Sequence, residues 1–127
     1  FEHAADIFVD MDSHRAVVMR RRDRKFWEST DPITAKLIGA AVTDALAPAM
    51  QMRLSWTSES KYPDLEAANW RIVVAFRANH TITVGTPVCS WGKAPDITLP
   101  EHPTASSLGE AVLTQANYSE GQHEHQR

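Results

Sequence analysis

Five stretches of the chain are predicted to be β-strands. In four of them apolar and polar residues alternate with a period of two, as in strands with one buried face, and residues 15–22 read as the hairpin partner of the first. The five stretches cover residues 6–12, 15–22, 51–56, 70–77 and 81–84. Short polar turns separate the first pair and the last pair, so each pair is expected to form a hairpin. We expect at most one more strand, a short edge strand over residues 97–99, because prolines interrupt the sequence around it.

One longer segment has the periodicity of an amphipathic α-helix. The apolar residues that share one half of its helical wheel are Leu37, Ile38, Ala41, Val42, Ala45 and Leu46. Asp31-Pro32 predicts its start. Aspartate accepts hydrogen bonds from the free backbone N–H groups of the first helical turn, and proline has no N–H group that would need a partner. The helix is expected to run from residue 31 to residue 47, where Pro48 ends it. A second, shorter helix is expected over residues 104–113.

Together these elements predict an α+β fold, in which an antiparallel β-sheet of about five strands carries one main helix on one face. Parallel strands covered on both faces would instead read as continuous apolar runs. We expect a single globular domain over residues 1–113 and a mobile, polar C-terminal tail over residues 114–127, which has almost no apolar content. We expect no internal repeat.

Positive charge is concentrated in residues 20–25, which read Arg-Arg-Arg-Asp-Arg-Lys. This run has a net charge of +4 in a chain of net charge −3, so the other residues carry −7. In an extended strand, Arg20, Arg22 and Arg24 would project from one face about 6 to 7 Å apart, a spacing that suits successive phosphates or carboxylates. Phe26 and Trp27, which follow directly, would add stacking if the ligand were single-stranded nucleic acid. The alternative is a solvated hairpin end whose arginines pair with carboxylates of the same chain.

These observations favour a non-enzymatic interaction or assembly subunit that docks an acidic partner surface or phosphates. The candidate partner-binding residues are Arg20, Arg21, Arg22, Arg24, Lys25 and Trp27. A protein partner or a second copy of the chain is favoured over nucleic acid, because the remaining charge of −7 would repel a long polyanion. No cofactor is implied, and no apolar run approaches the roughly 20 residues that span a bilayer.

Two enzymatic or ligand-binding alternatives remain open. Asp10, Asp12 and His14 would share one face if all three lay on a strand, and could then bind a divalent ion that activates water for hydrolysis. His80 or His102 would complete such a site from another element. The second alternative is a small-molecule pocket between helix and sheet. Its expected lining residues are Leu37, Ala41, Trp56, Trp70 and Phe76.

Overall fold

The computed structural model describes residues 3–10, 13–29, 33–47, 53–58, 70–86 and 95–116. Within these residues it contains six strands and two helices. In chain order they are β1 (Ala4–Asp10), β2 (Arg15–Arg20), β3 (Phe26–Glu28), α1 (Ala35–Leu46), β4 (Trp70–Phe76), β5 (Thr81–Gly85), β6 (Ile97–Pro100) and α2 (Ala105–Gln115). All neighbouring strands are antiparallel, and their order across the sheet is β3-β2-β1-β4-β5-β6. The predicted α+β class is therefore confirmed.

The core lies between the sheet and the two helices. Strand alternation sends one set of apolar side chains toward the helices, and those of the central pair β1 and β4 include Ile7, Val9, Ile72 and Val74. Both helices pack onto this face, and they also pack against each other. The opposite face, which we call the helix-free face, has a smaller apolar cluster made by Phe8, Val17, Met19 and Phe26.

The two halves of the molecule repeat one topology. In the described part of the chain, each half consists of three antiparallel strands followed by a helix, and β1 and β4 meet antiparallel at the centre of the sheet. This order is unchanged by a half-turn about an axis between β1 and β4. The helices also share a sequence pattern at a separation of 70 residues: Thr34-Ala35, Ile38-Gly39 and Ala41-Val42 correspond to Thr104-Ala105, Leu108-Gly109 and Ala111-Val112. The expectation of a chain without a repeat is corrected by this arrangement.

Paired glycines let the two helices touch. A Cβ on Gly39 would lie 1.6 Å from the Ala105 carbonyl oxygen, and a Cβ on Gly109 would lie 1.7 Å from that of Ala35. Such distances are far below van der Waals contact, so only glycine permits this approach. The same residues make the same contact in both directions, as twofold symmetry requires.

The structure differs from the sequence-based expectation at three places. Strand β3 was not expected, and the third strand expected at 51–56 is absent from its described part, because residues 53–58 contain only an isolated bridge from Thr57 to Phe26. Helix α1 begins after Thr34, whose hydroxyl accepts the Leu37 N–H at 3.2 Å. The expected start at Asp31-Pro32 lies outside the described residues. Helix α2 extends through Gln115, and residues 117–127 of the expected tail also lie outside the described part.

Candidate functional site

The basic run forms a turn between two strands. Strand β2 ends at Arg20, and the backbone closes on itself through hydrogen bonds from Arg20 N to Lys25 O and from Arg24 N to Arg20 O, both 2.8 Å. Arg24 has a positive φ of 59°. The regular projection expected for Arg20, Arg22 and Arg24 on an extended strand is therefore corrected, because the chain reverses between them. We call residues 20–25, together with Asp6 and Arg71, the basic corner.

Arg20 is a structural residue of this corner. It is only 1% exposed, and it donates to Asp23 from Nε at 3.1 Å and from Nη2 at 2.7 Å. Its guanidinium also lies 4.4 Å from the centre of the Trp56 ring. Nη1 of Arg20 is buried and has no hydrogen-bond partner among the described residues. Its contact with the Trp56 ring offsets part of the cost of burying this cation.

Asp44 holds Trp56 in position. This buried carboxylate of α1 accepts the indole Nε1–H of Trp56 at 2.7 Å. It also accepts the backbone N–H groups of Arg53 at 2.5 Å and Leu54 at 3.1 Å. One residue further on, Thr57 exchanges two backbone hydrogen bonds with Phe26 of β3. Helix α1 is thereby connected through residues 53–57 to the basic corner.

Asp6 links three strands on the helix-free face. Its carboxylate accepts a bidentate pair of hydrogen bonds from Arg21, both 2.9 Å, and a further pair from Arg71 at 3.0 and 3.3 Å. The Asp6 side chain is 8% exposed, whereas those of Arg21 and Arg71 are 33% and 48% exposed. Burial alone would raise the pKa of Asp6, but hydrogen bonds and charge from both guanidiniums outweigh it and hold this pKa below its ordinary value.

Among the remaining residues of the run, one is anchored to helix α1 and two are exposed to solvent. Arg22 is half-buried and donates from Nη1 to the Ala45 carbonyl at 3.2 Å, near the C-terminus of α1, where a cation interacts favourably with the helix dipole. Arg24 and Lys25 are exposed. Trp27 is half-buried against the main core. Arg22 therefore ties the turn to α1, while Arg24 and Lys25 face solvent.

Charge within the basic corner remains strongly positive after internal pairing. Its six cations are offset by two carboxylates, Asp6 and Asp23, which leaves a formal charge of +4. Burial would raise the pKa of Asp23, but the Lys25 backbone N–H and the Arg20 guanidinium lower it overall, so Asp23 stays ionised at neutral pH. Arg20 and Arg21 pair with carboxylates of the same chain, as the hairpin-end interpretation expects, while partner binding at the exposed cations stays a prediction.

The residues of the hypothetical metal site are not arranged as expected. Strand β1 ends at Asp10, whose Oδ1 is 3.4 Å from the Ser13 N–H, and His14 has a φ of 57° in the turn that follows. Asp12 lies outside the described residues. His14 therefore does not continue the strand face of Asp10. In the described part of the chain, no group of three or more His, Cys, Asp or Glu residues has the arrangement of a metal site.

The residues expected to line a small-molecule pocket are also arranged differently. Ala41 is completely buried in the core, Leu37 is half-buried, and Trp56 stacks on the basic corner. The side chain of Trp70 lies outside the described residues. Phe76, however, lines a cavity of about 460 Å³ between α1, the start of α2 and the β4–β5 hairpin. We call this space the hairpin cavity.

Sequence reasoning missed the residues that organise the basic corner. Asp6 and Arg71 both lie on polar faces of predicted strands, but they are 65 residues apart, and only the strand order brings them together. The alternation around Trp56 predicts a strand, but Asp44 binds the backbone N–H groups of Arg53 and Leu54 there. Asp44 lies on the polar half of the α1 wheel with Lys36 and Thr43, so no signal in the sequence indicated that it would be buried.

Among the described residues, no helix is both long and apolar enough to cross a bilayer. Comparisons with protein-family models, curated proteins and solved structures found no match to this chain.

Proposed function

We propose that this protein is a non-enzymatic docking module that binds an acidic segment of a partner protein at its basic corner. The observation that carries the proposal is the formal charge of +4 in this corner of a chain whose net charge is −3. Such segregation of charge attracts and orients an oppositely charged partner.

The corner is built to hold cations in fixed positions. Asp6 accepts two donors from Arg21 and two from Arg71, while each guanidinium has five N–H donors. Both side chains are partly exposed and can therefore donate to a partner carboxylate without losing Asp6. A guanidinium that is already oriented loses less conformational entropy on binding, which favours affinity and bidentate recognition.

An acidic protein segment fits this corner better than a long nucleic acid. The positive region is local, and the rest of the chain carries −7. A short run of carboxylates can cover Arg21, Arg24 and Lys25 without approaching the negative remainder. A nucleic acid that extends beyond the corner would meet like charge, which weakens its binding.

Charge reversal at Arg24 and Lys25, two exposed cations of the corner, tests this proposal. In the Arg24→Glu/Lys25→Glu variant, we expect at least about tenfold weaker binding of a deca-glutamate peptide, measured by fluorescence anisotropy in low salt. The matched control is Lys36→Glu/Arg53→Glu, which changes net charge equally at exposed residues outside the corner. We expect the control to retain most of the affinity.

Two outcomes would contradict docking at the corner. Equal losses in both double variants would show that only the overall charge of the protein matters. Absence of saturable peptide binding by the unmodified protein would also exclude the proposal. If a thymidine decanucleotide binds more tightly than the peptide at equal salt, the partner is a nucleic acid and not an acidic protein.

A further inference from the structure

The two halves of the molecule differ at the hairpin cavity. Ile33 precedes the N-cap Thr34 of α1, and Pro103 precedes the N-cap Thr104 of α2, so the two occupy corresponding positions. Ile33 is 3% exposed and belongs to the core, whereas Pro103 is half-buried and lines the cavity. The place that one half fills with a core side chain is thus open in the other half.

Backbone chemistry explains part of this difference. The Ile33 N–H donates to the His14 carbonyl at 3.1 Å, which ties the start of α1 to the β1–β2 turn. His80 occupies the corresponding position of the β4–β5 turn, and both histidines have a positive φ, 57° and 63°. Pro103 has no N–H to donate, so the equivalent connection cannot form.

The cavity has apolar walls and a polar rim. Its apolar lining includes Leu46, Phe76, Ile82, Pro103 and Leu108, and its rim includes His3, Glu101 and His102. This combination, in a volume of about 460 Å³, is typical of a site for a small organic molecule. The apolar part of such a molecule would be removed from water against the walls, while the rim would orient its polar end.

Glu101 determines the charge that fits the rim. It is the only formally charged residue among the described residues that line the cavity. Its Oε2 is 3.7 Å from His80 Nδ1 and 3.6 Å from His102 Nε2, both longer than a hydrogen bond. A carboxylate at the mouth of an apolar cavity favours a positively charged ligand, and the Phe76 ring can add cation–π attraction.

We propose that the hairpin cavity binds a small organic cation, with its apolar body against Phe76 and Leu108 and a protonated amine at Glu101. This site is distinct from the basic corner and binds a ligand of opposite charge. Its test is therefore independent of the proposed docking function.

Three probes that share a phenylbutyl body test the predicted charge preference. They are 4-phenylbutylammonium, 4-phenylbutan-1-ol and 5-phenylpentanoate, titrated into the full chain and followed by NMR. The ammonium should bind most tightly, with shifts at Phe76, Ile82 and Glu101. Glu101→Gln should weaken ammonium binding about threefold to fivefold and leave the alcohol unaffected. Glu28→Gln, at the far edge of the sheet, is the matched control and should change neither.

Making the second half resemble the first tests the location of the site. Pro103→Ile introduces the side chain and the N–H that Ile33 supplies, so it should fill the cavity and weaken ammonium binding about tenfold or more. Leu46→Trp, at a half-buried wall residue, should have the same effect if the first variant does not fold. Unchanged binding in a folded variant, equal affinity for all three probes, or no saturable ammonium binding at low millimolar concentration would overturn the proposal.

Discussion

At the scale of single residues, Asp6 fixes the arrangement of the basic corner on the helix-free face of the sheet. It lies on the central strand β1, and its two arginine partners are Arg21, directly after β2, and Arg71 in β4. Because one carboxylate accepts from both guanidiniums, their positions depend on each other. The burial of Asp6 makes this arrangement a feature of the fold and not a flexible surface ion pair.

Substitution of Asp6 should affect stability in a pH-dependent way. We expect Asp6→Asn to lower the free energy of unfolding at pH 7 by about 1 to 2 kcal/mol, since charge-assisted hydrogen bonds are lost while both arginines retain access to water. The folded-state pKa of Asp6 is lowered, so its stabilisation is present above the unfolded-state pKa of about 3.9 and disappears as pH falls through the folded-state value.

Urea unfolding of both proteins between pH 7 and pH 2.5 measures this effect. The difference in unfolding free energy should stay constant down to about pH 5 and then shrink toward the acid end. A difference that is as large at pH 2.5 as at pH 7 would show that ionisation of Asp6 is not its source.

At the scale of elements, the contact between α1 and α2 depends on two glycines that play the same role. Glycine in a helix interior normally costs about 1 kcal/mol relative to alanine. In this protein the cost is offset, because Gly39 and Gly109 let each helix touch the backbone of the other. A glycine-to-alanine substitution at either position should therefore destabilise the protein, which is the opposite of its usual effect within a helix.

We expect Gly39→Ala and Gly109→Ala each to destabilise the protein by about 2 to 4 kcal/mol, because the added methyl groups push the helices apart. Since both act on one interface, the double variant should lose less than the sum of the single losses. Glu110→Ala, at an exposed neighbour, should stay within about 0.5 kcal/mol of the unmodified protein in the same thermal and urea unfolding experiments. Stabilisation by either glycine substitution would contradict the close helix contact.

Element prediction succeeded where several alternating or mainly apolar residues stand between recognisable turns. Strands β1, β2, β4 and β5 were found within two residues of their observed ends where those ends are described. Strand β3 has only three residues, which is too short for a periodicity to be recognised. The expected strand around Trp56 failed because Asp44 binds two of its backbone N–H groups.

The end of α2 shows the same limitation. Gln115 reads as a polar residue of the tail, yet its side-chain amide donates to the carbonyls of Val84 and Pro95, both at 2.8 Å. These partners are distant in the sequence, so local polarity gave no indication that Gln115 would be buried.

At the scale of the whole molecule, the twofold arrangement separates what is structural from what differs between the halves. The central strand pair and the glycine contact join the two halves, each half contributing the same elements, and maintain the fold. The cationic run of the basic corner begins at the end of β2 in the first half. The hairpin cavity lies beside the β4–β5 hairpin of the second half and results from the presence of Pro103 there. The sequence indicated the cationic run, but Asp6 and Arg71 join it only through the order of the strands.

The most direct test of acidic-partner binding at the basic corner is a map of where the deca-glutamate peptide contacts the protein. In ¹H–¹⁵N NMR titrations at low salt, we predict saturable shifts of the backbone amides of residues 21–25 and of the arginine Nε–H groups of Arg21 and Arg71. The amides of Lys36 and Arg53 should not shift. Shifts centred on those two residues, or spread evenly over all exposed cations, would contradict the account.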